Sequence, residues 1–275
     1  MSSNTTIRTL DTNITTISVQ FNRFAPFGYR RFVAVGNRAT ALRLKDGRIL
    51  LLNPVELNQQ IKTAVQNLGG VQFLAADLGH HMYIKDYLSL YPEAKVIGVK
   101  GLDQKRKDIK WDFVYSDHHQ KPEDVFGFSD EIETVLFEGF ITRAVAWYLK
   151  DSGTLILSDL LMNLPCTEQY DPPSHLTGPM SRYFAMGANP WSTWMRMLIY
   201  YVATTDFVLV RRDAKRVSEL DIRRIIPCHG DVIADQANEA WNSVYKWFLQ
   251  GPTKPGLRRR FWDLFMRAQR RLFLM

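Results

Sequence analysis

The 275-residue sequence has only two cysteines, Cys166 and Cys228, and no CxxC pair. That excludes a disulfide-stapled scaffold and suits a reducing compartment, with both thiols expected as small buried hydrophobes. No stretch approaches the roughly 18 clean apolar residues of a membrane span. The longest, MLIYYVATTDFVLV at 197–210, is broken by Asp206 and follows Arg196. The opening MSSNTTIRTLDTN has neither a basic start nor an apolar core, so no secretory leader is read and the cytoplasm is the expected location. GxSxG, Walker A, GxGxxG and HExxH are all missing, which removes the usual signatures of serine hydrolases, phosphate loops, dinucleotide folds and zincins. There is no sequence repeat and no linker.

What is present is an ordinary globule with a displaced charge. Hydrophobic residues at 46% and aromatics at 12% are enough to pack a core at this length. The formal net charge of +7 gathers in RRDAKR (211–216) and in LRRRFWDLFMRAQRRLFLM (257–275). The latter sets Leu257, Phe261, Leu264, Phe265 and Leu272 close to helical spacing among six arginines. Three readings compete for it: a helix docked on its own domain or on a second copy in a homodimer, a membrane-surface helix, or a nucleic-acid patch. Docking is favoured because terminal amphipathic helices usually cover a core. No nucleic-acid motif accompanies the charge, so no nucleic-acid partner is expected.

Periodicity supplies the order of elements. ITTISVQF, RFVAVG and ATALRLKDGRILLLNP read as strands, with Asp46-Gly47 as a hairpin turn. VELNQQIKTAVQNL (55–68) reads as a helix ended by Gly69-Gly70, then VQFLAADL as a buried strand, 81–91 as a helix and KVIGV as a strand. WDFVYS and IETVLFEG follow as strands, and RAVAWYLKDSGTLILSDLL as a hairpin turning at Asp151-Ser152-Gly153. Residues 165–206 have no strand pattern and read as a helical insertion. SELDIRR reads as a short helix, RIIPCHGD as a strand entering a loop, and DQANEAWNSVYKWFLQ as a closing helix. Strands do not alternate strictly with helices, so two sheets wrapped by helices, an α/β αββα sandwich, fit better than a doubly wound sheet. One domain over 1–250 and a basic amphipathic helix over 251–275 are expected.

Polar residues just past the ends of apolar strands gather at one edge of a sandwich, where loops on a rigid scaffold carry function. His80 and His81 follow LAADLG, Asp159 follows TLILS, and His229 follows RIIPC. Four candidate ligands thus leave three separate strands, and imidazole nitrogen with carboxylate oxygen suits zinc, iron or manganese. Against this stands a metal-free reading, in which Asp159 and His80 cap local turns or helices and His229 sits in a satisfied turn.

At these residues the chain resembles a known superfamily. AVAWYLKDSGTLILSDLL (144–161) is similar to the strand pair ending in the bridging aspartate of the metallo-β-lactamase fold, and IIPCHGD (225–231) to its final strand. Residues 74–102 occupy the place of its HxHxDH motif. More narrowly, HHMYIKDYLSLYPEAKV with SDLLMNLP resembles the domain of unknown function 4336 group. The resemblance covers about residues 14–250. Laid on HxHxDH, Ala76 and Leu78 replace the first two histidines, His80 replaces the aspartate, and His81 is retained. EGFIT (138–142) puts Phe140 where a third histidine would stand. One metal position is lost; the other keeps His81, Asp159 and His229 and gains His80.

The resemblance with these departures implies a mononuclear metal-dependent enzyme acting on a small organic substrate, with hydrolysis of an ester, lactone or thioester as the leading chemistry. One divalent ion, zinc first and iron or manganese as alternatives, would sit on His80, His81, Asp159 and His229. Asp231 and Asp77 are the candidates for proton handling or for orienting a ligand histidine. A non-hydrolytic iron-type reaction and a metal-free scaffold stand as alternatives. Asp117-His118-His119 reads as a solvated loop, Lys85 as an exposed helix residue, and His175 as part of an insertion overhanging the site. The aromatics Tyr170, Tyr183, Phe184, Trp191 and Trp194 read as a lid or as packing.

Overall fold

The computed structural model describes residues 5–21, 33–115, 120–170, 178–252, 254–257, 259 and 262. Two sheets face each other. β1 (Thr5–Asp11), β2 (Ile14–Val19), β3 (Asn37–Arg43), β4 (Ile49–Leu52), β5 (Phe73–Ala75), β6 (Lys95–Val99) and β7 (Phe113–Tyr115) lie in sequence order in one sheet. Its first four strands are antiparallel neighbours and β4 to β7 are parallel. β8 (Ile132–Leu136), β9 (Val145–Leu149), β10 (Thr154–Leu157) and β11 (Arg224–Pro227) form the second sheet in the order β11-β10-β9-β8. There β10 runs parallel to β11 and antiparallel to β9.

Side-chain alternation along each strand sends neighbours to opposite faces, so short fully apolar strands serve two cores. In β4, Leu50 and Leu52 meet Trp147, Leu149 and Ile156 of the other sheet, while Ile49 and Leu51 pack outward against Ile61, Val65, Ile84 and Tyr87. In β9, Val145, Trp147 and Leu149 face inward, and Ala146 and Tyr148 join Val210, Ala214, Val217 and Trp241 on the outer side. The layers are therefore helix, sheet, sheet, helix, as expected.

Local signals explain most elements. The helix Gln59–Asn67 starts at Asn58, whose side chain accepts from the Ile61 amide at 2.9 Å, three residues inside the expected start. Both expected hairpin turns form, with Gly47 at φ +87° and Gly153 at φ +63°.

Three expectations change. The edge strand β1 precedes the expected first strand and pairs with β2 through Asn13. In RFVAVG, the described residues 33–36 form no strand beyond a single bridge residue at Ala34, and the Val35 and Gly36 amides both donate to the Phe21 carbonyl. SELDIRR is not a helix: the helix is Phe207–Ser218, capped by Asp206, and residues 219–223 lead into β11. Its buried stripe of Phe207, Val210, Ala214 and Val217 is helical in spacing but masked by the charges of RRDAKR between.

The insertion contains the helices Pro179–Gly187 and Thr193–Met197 and a π-helical turn, Leu198–Ala203. Most of the expected C-terminal helix lies outside the described residues, as do Asp117, His118, His119 and His175. Among the described tail residues, Arg259 and Trp262 dock on the domain, while Leu257 is exposed. Arg259 is buried, donates to the Thr204 carbonyl at 2.8 Å and lies over the Tyr200 ring, while Trp262 Nε1 donates to the Tyr201 carbonyl at 2.7 Å. Among the described residues no helix is long and apolar enough to cross a membrane.

Candidate metal centre

The pairing of β10 with β11 does the first part of the assembly. Leu157 is level with Pro227, so Asp159 and His229, each two residues further on, leave adjacent parallel strands side by side. Asp159 Oδ1 lies 3.3 Å from His229 Nε2. His80 arrives from the other sheet, on the loop after β5, and puts its Nε2 3.5 Å from the same oxygen. The two imidazoles stand 5.4 Å apart between ring centres. All three residues are buried.

Asp77 builds the turn that delivers His80. Its Oδ1 accepts from the Gly79 and His80 amides at 2.8 and 3.0 Å, and its Oδ2 accepts from Ser158 Oγ at 2.5 Å, next to Asp159. Burial raises its pKa above the ordinary carboxyl value, against the nearby His80. A side chain at Gly79 would meet Asp159 Oδ2 at 2.9 Å, so glycine keeps the two loops in contact. Replacing Asp77 by Ala removes the side-chain acceptor shared by the Gly79 and His80 amides and leaves the buried Ser158 hydroxyl without this partner. We expect about 2 kcal/mol or more of lost stability by chemical denaturation, together with loss of the His80 geometry.

The far side of each imidazole is already engaged. His229 Nδ1 is 2.7 Å from the Gly36 carbonyl, which can only accept, so Nδ1 carries the proton and Nε2 the lone pair. His80 Nδ1 faces Cys228 Sγ at 3.6 Å, and that thiol donates in turn to Asn37 Oδ1 at 2.9 Å. Neither Nε2 makes a hydrogen bond, although both are buried. The two imidazole Nε2 atoms converge on one carboxylate oxygen. Bonds of about 2.0–2.1 Å in a tetrahedron put neighbouring donors about 3.3–3.4 Å apart, close to the 3.3 and 3.5 Å separations of the two Nε2 atoms from Asp159 Oδ1. Imidazole nitrogen and carboxylate oxygen are donor types that suit a divalent ion.

Charge in the cluster follows the same geometry. Burial alone would raise the Asp159 carboxyl, but the His80 and His229 imidazoles hold it well below its usual range. Burial likewise opposes protonation of His80, yet Cys228 and Asp159 beside it push its pKa well above that of a free imidazole. His80, Cys228 and His229 also offer donor atoms within 4.8 Å of one another. The Asp159 side is the better cradle, because both Nε2 atoms point there and both Nδ1 atoms are engaged. Cys228 then acts as an outer partner orienting His80. Cys228→Ala should keep the fold and weaken metal binding about 10–100-fold, measured by competition with a chromophoric chelator.

His81, expected among the ligands, is not brought into this group. Arg106 Nη1 donates to the His81 carbonyl at 2.8 Å and stands 3.3 Å from its Nδ1. A guanidinium only donates, so Nδ1 accepts and the neutral ring carries its proton on Nε2. Burial, with Lys105 and Arg106 nearby, lowers its pKa to about 4, so it stays neutral. Asp231 is also spent elsewhere, accepting from the Glu168 amide at 2.8 Å and Thr167 Oγ1 at 2.6 Å. Burial raises its pKa. The positions aligned with the lost ligands hold packing groups: Ala76 joins the outer core of the large sheet and Phe140 the core under the small one.

Sequence reasoning passed over the residues that hold the loop of His229. Gln169, fully buried, donates to the Cys228 carbonyl at 2.8 Å and accepts from the Gly230 amide at 2.7 Å. Arg38, also buried, donates to the Pro227 carbonyl at 2.8 Å and pairs with Glu168 at 2.9 Å. Neither has a local signature, since their partners are more than fifty residues away. Cys228 had one, its place beside His229, but was read as a filler.

This architecture is the metallo-β-lactamase fold. The metallo-β-lactamase DIM-1 superposes over 90% of this chain and 99% of its own, with a TM-score of 0.56 and 12% identity. A flavo di-iron protein variant from Thermotoga maritima gives 0.64 over 92% of this chain and 64% of its own, at 13% identity. A diflavin flavoprotein A 5 fragment from Nostoc sp. PCC 7120 gives 0.61 over 90% and 96%, at 12% identity. No family model matches the sequence, the narrower 4336 group included, and no curated protein matches it.

Proposed function

We propose that the chain is a mononuclear metalloenzyme that hydrolyses an ester, lactone or thioester of a small organic molecule. The observation carrying this reading is the pair of buried, hydrogen-bond-free Nε2 atoms of His80 and His229 facing one Asp159 oxygen. His80, Asp159 and His229 would hold the ion, with zinc favoured by the tetrahedral spacing and iron or manganese as competitors. A bound ion of this kind polarises a carbonyl and lowers the pKa of water.

The chain's own groups do the rest. Asp159 neutralises one unit of the ion's charge. Gly36 and Cys228 fix the two imidazoles with Nε2 forward. Burial of all three donors keeps bulk water from competing for them and strengthens each electrostatic contact. Both Asp77 and Asp231 are committed to loop hydrogen bonds, so each acts by shaping the site. The metallo-β-lactamase fold of the neighbours supports the class of reaction.

A second reading, a metal-free scaffold, is favoured by Ala76 and Phe140 at positions where the resemblance places histidines. Elemental analysis of untagged protein, followed by assay of the reconstituted protein on aryl ester, lactone and thioester panels, separates the two. One equivalent of metal with turnover of any panel supports the enzyme. No metal after incubation with zinc, iron(II) and manganese would overturn it, and metal without turnover would point to the non-hydrolytic alternative.

A further inference from the structure

Of the aromatic residues expected as a lid or as packing, Tyr170 and Phe184 pack against the core, while Tyr183, Trp191 and Trp194 are exposed. Tyr170 is buried, with its hydroxyl on the Phe21 carbonyl. Tyr183 is 74% exposed, Met186 75% and Trp191 50%. From Met180 to Met197 the chain holds six of the twelve large hydrophobic side chains that are exposed among the described residues: Met180, Tyr183, Met186, Trp191, Trp194 and Met197. Met180, Tyr183 and Met186 share one face of the first helix by their i, i+3, i+6 spacing, while Trp194 and Met197 lie on the second and Trp191 in the turn before it.

The two faces are joined and fixed from behind. Trp194 lies across Gly187, where an added side chain would meet the indole at 3.0 Å, and packs edge-on to Phe184 at 5.2 Å. Ser181, buried, accepts from the Ala34 amide at 3.0 Å and ties the first helix down. Met195, fully buried, does so for the second. Met186 also borders a recess of about 360 Å³ lined by Ala34, Leu164, Pro165 and Ala185. The outward side chains are thus held in place by a rigid backing.

We infer that this face is a docking surface for an anionic lipid bilayer. From Gly178 to Thr205 the sequence has Arg182 and Arg196 and no aspartate or glutamate. Exposed tryptophan and tyrosine rings, with exposed Arg182 next to Tyr183 and half-buried Arg196 donating to Ser243 Oγ at 3.0 Å, match the headgroup layer, where an apolar body and a polar edge are both satisfied. Self-association is disfavoured by the same charges, because a two-fold contact would set each arginine-bearing face against its own copy. The tail is a separate matter: Arg259 and Trp262 are engaged with residues 200–204 of the domain.

The test is flotation of the full chain with phosphatidylcholine vesicles, with and without phosphatidylserine. The expected result is partition onto the anionic vesicles that falls as salt rises. Tyr183→Ser/Met186→Ser/Trp191→Ser should reduce it at least tenfold, and Arg182→Gln about fivefold. Since these side chains are exposed, the variants should keep the wild-type circular dichroism. Equal partition of the triple variant would place any lipid contact elsewhere, in the tail, and overturn the inference. No partition by the wild type would also overturn it, and a wild-type dimer dissociated by the triple variant would assign the face to a second copy.

Discussion

His80→Ala and His229→Ala should each empty the metal centre, whereas His81→Ala should leave it loaded. The two histidines supply Nε2 atoms 3.5 and 3.3 Å from Asp159 Oδ1, and neither atom has another partner. Removing either leaves two donors, too few to hold a divalent ion in a closed pocket. We expect affinity to fall by more than about 100-fold, beyond the loss caused by removing an outer partner. His81 lies against Arg106, and its loss should change affinity by less than about tenfold. Metal content by elemental analysis, with circular dichroism to confirm folding, reads both. Loss of metal in His81→Ala with retention in His80→Ala would show that the retained motif histidine, and not its neighbour, is the ligand.

Gly230→Ala should be severely destabilising and should disrupt the site as well. Gly230 has φ +106°, and a methyl group there would lie 2.1 Å from the Asn163 carbonyl oxygen. The strained backbone and the forced displacement together cost roughly 3 kcal/mol. Any relief must move residue 163 or the loop of Cys228 and His229, which Gln169 and Arg38 hold in register. Gly47→Ala is the matched control: φ is +87°, yet nothing lies within 4 Å of the added methyl. Only backbone strain remains there, about 1 kcal/mol. Equal unfolding midpoints for the two variants would show that the close approach to Asn163 is not rigid.

The contrast between these glycines marks what could be read in advance. Asp46-Gly47 lies between two apolar runs, and its turn follows from four consecutive residues. Gly230 has no such local reason; the carbonyl that excludes a side chain comes from a segment sixty-seven residues earlier, brought close by the bridge between Asn163 and Gly230. The helix Phe207–Ser218 shows a middle case. Its apolar stripe is in the sequence, but the charges of RRDAKR concealed it until the stripe could be seen packing under β9.

The sequence by itself determined that this is one two-sheet sandwich with helices outside, and that His80, Asp159 and His229 stand at strand ends. Apolar runs of four to eight residues, punctuated by turn signals, are enough for that, because burial fixes which side chains face inward. Only the tertiary structure decided which of two adjacent histidines joins the cluster. That choice depends on specific polar contacts: Asp77 receiving the His80 amide, Cys228 and Gly36 taking the outer ring nitrogens, and Arg106 claiming His81. Asp77 acts within its own loop, but the other contacts join segments 25 to 193 residues apart, and hydrophobic periodicity carries no information about them.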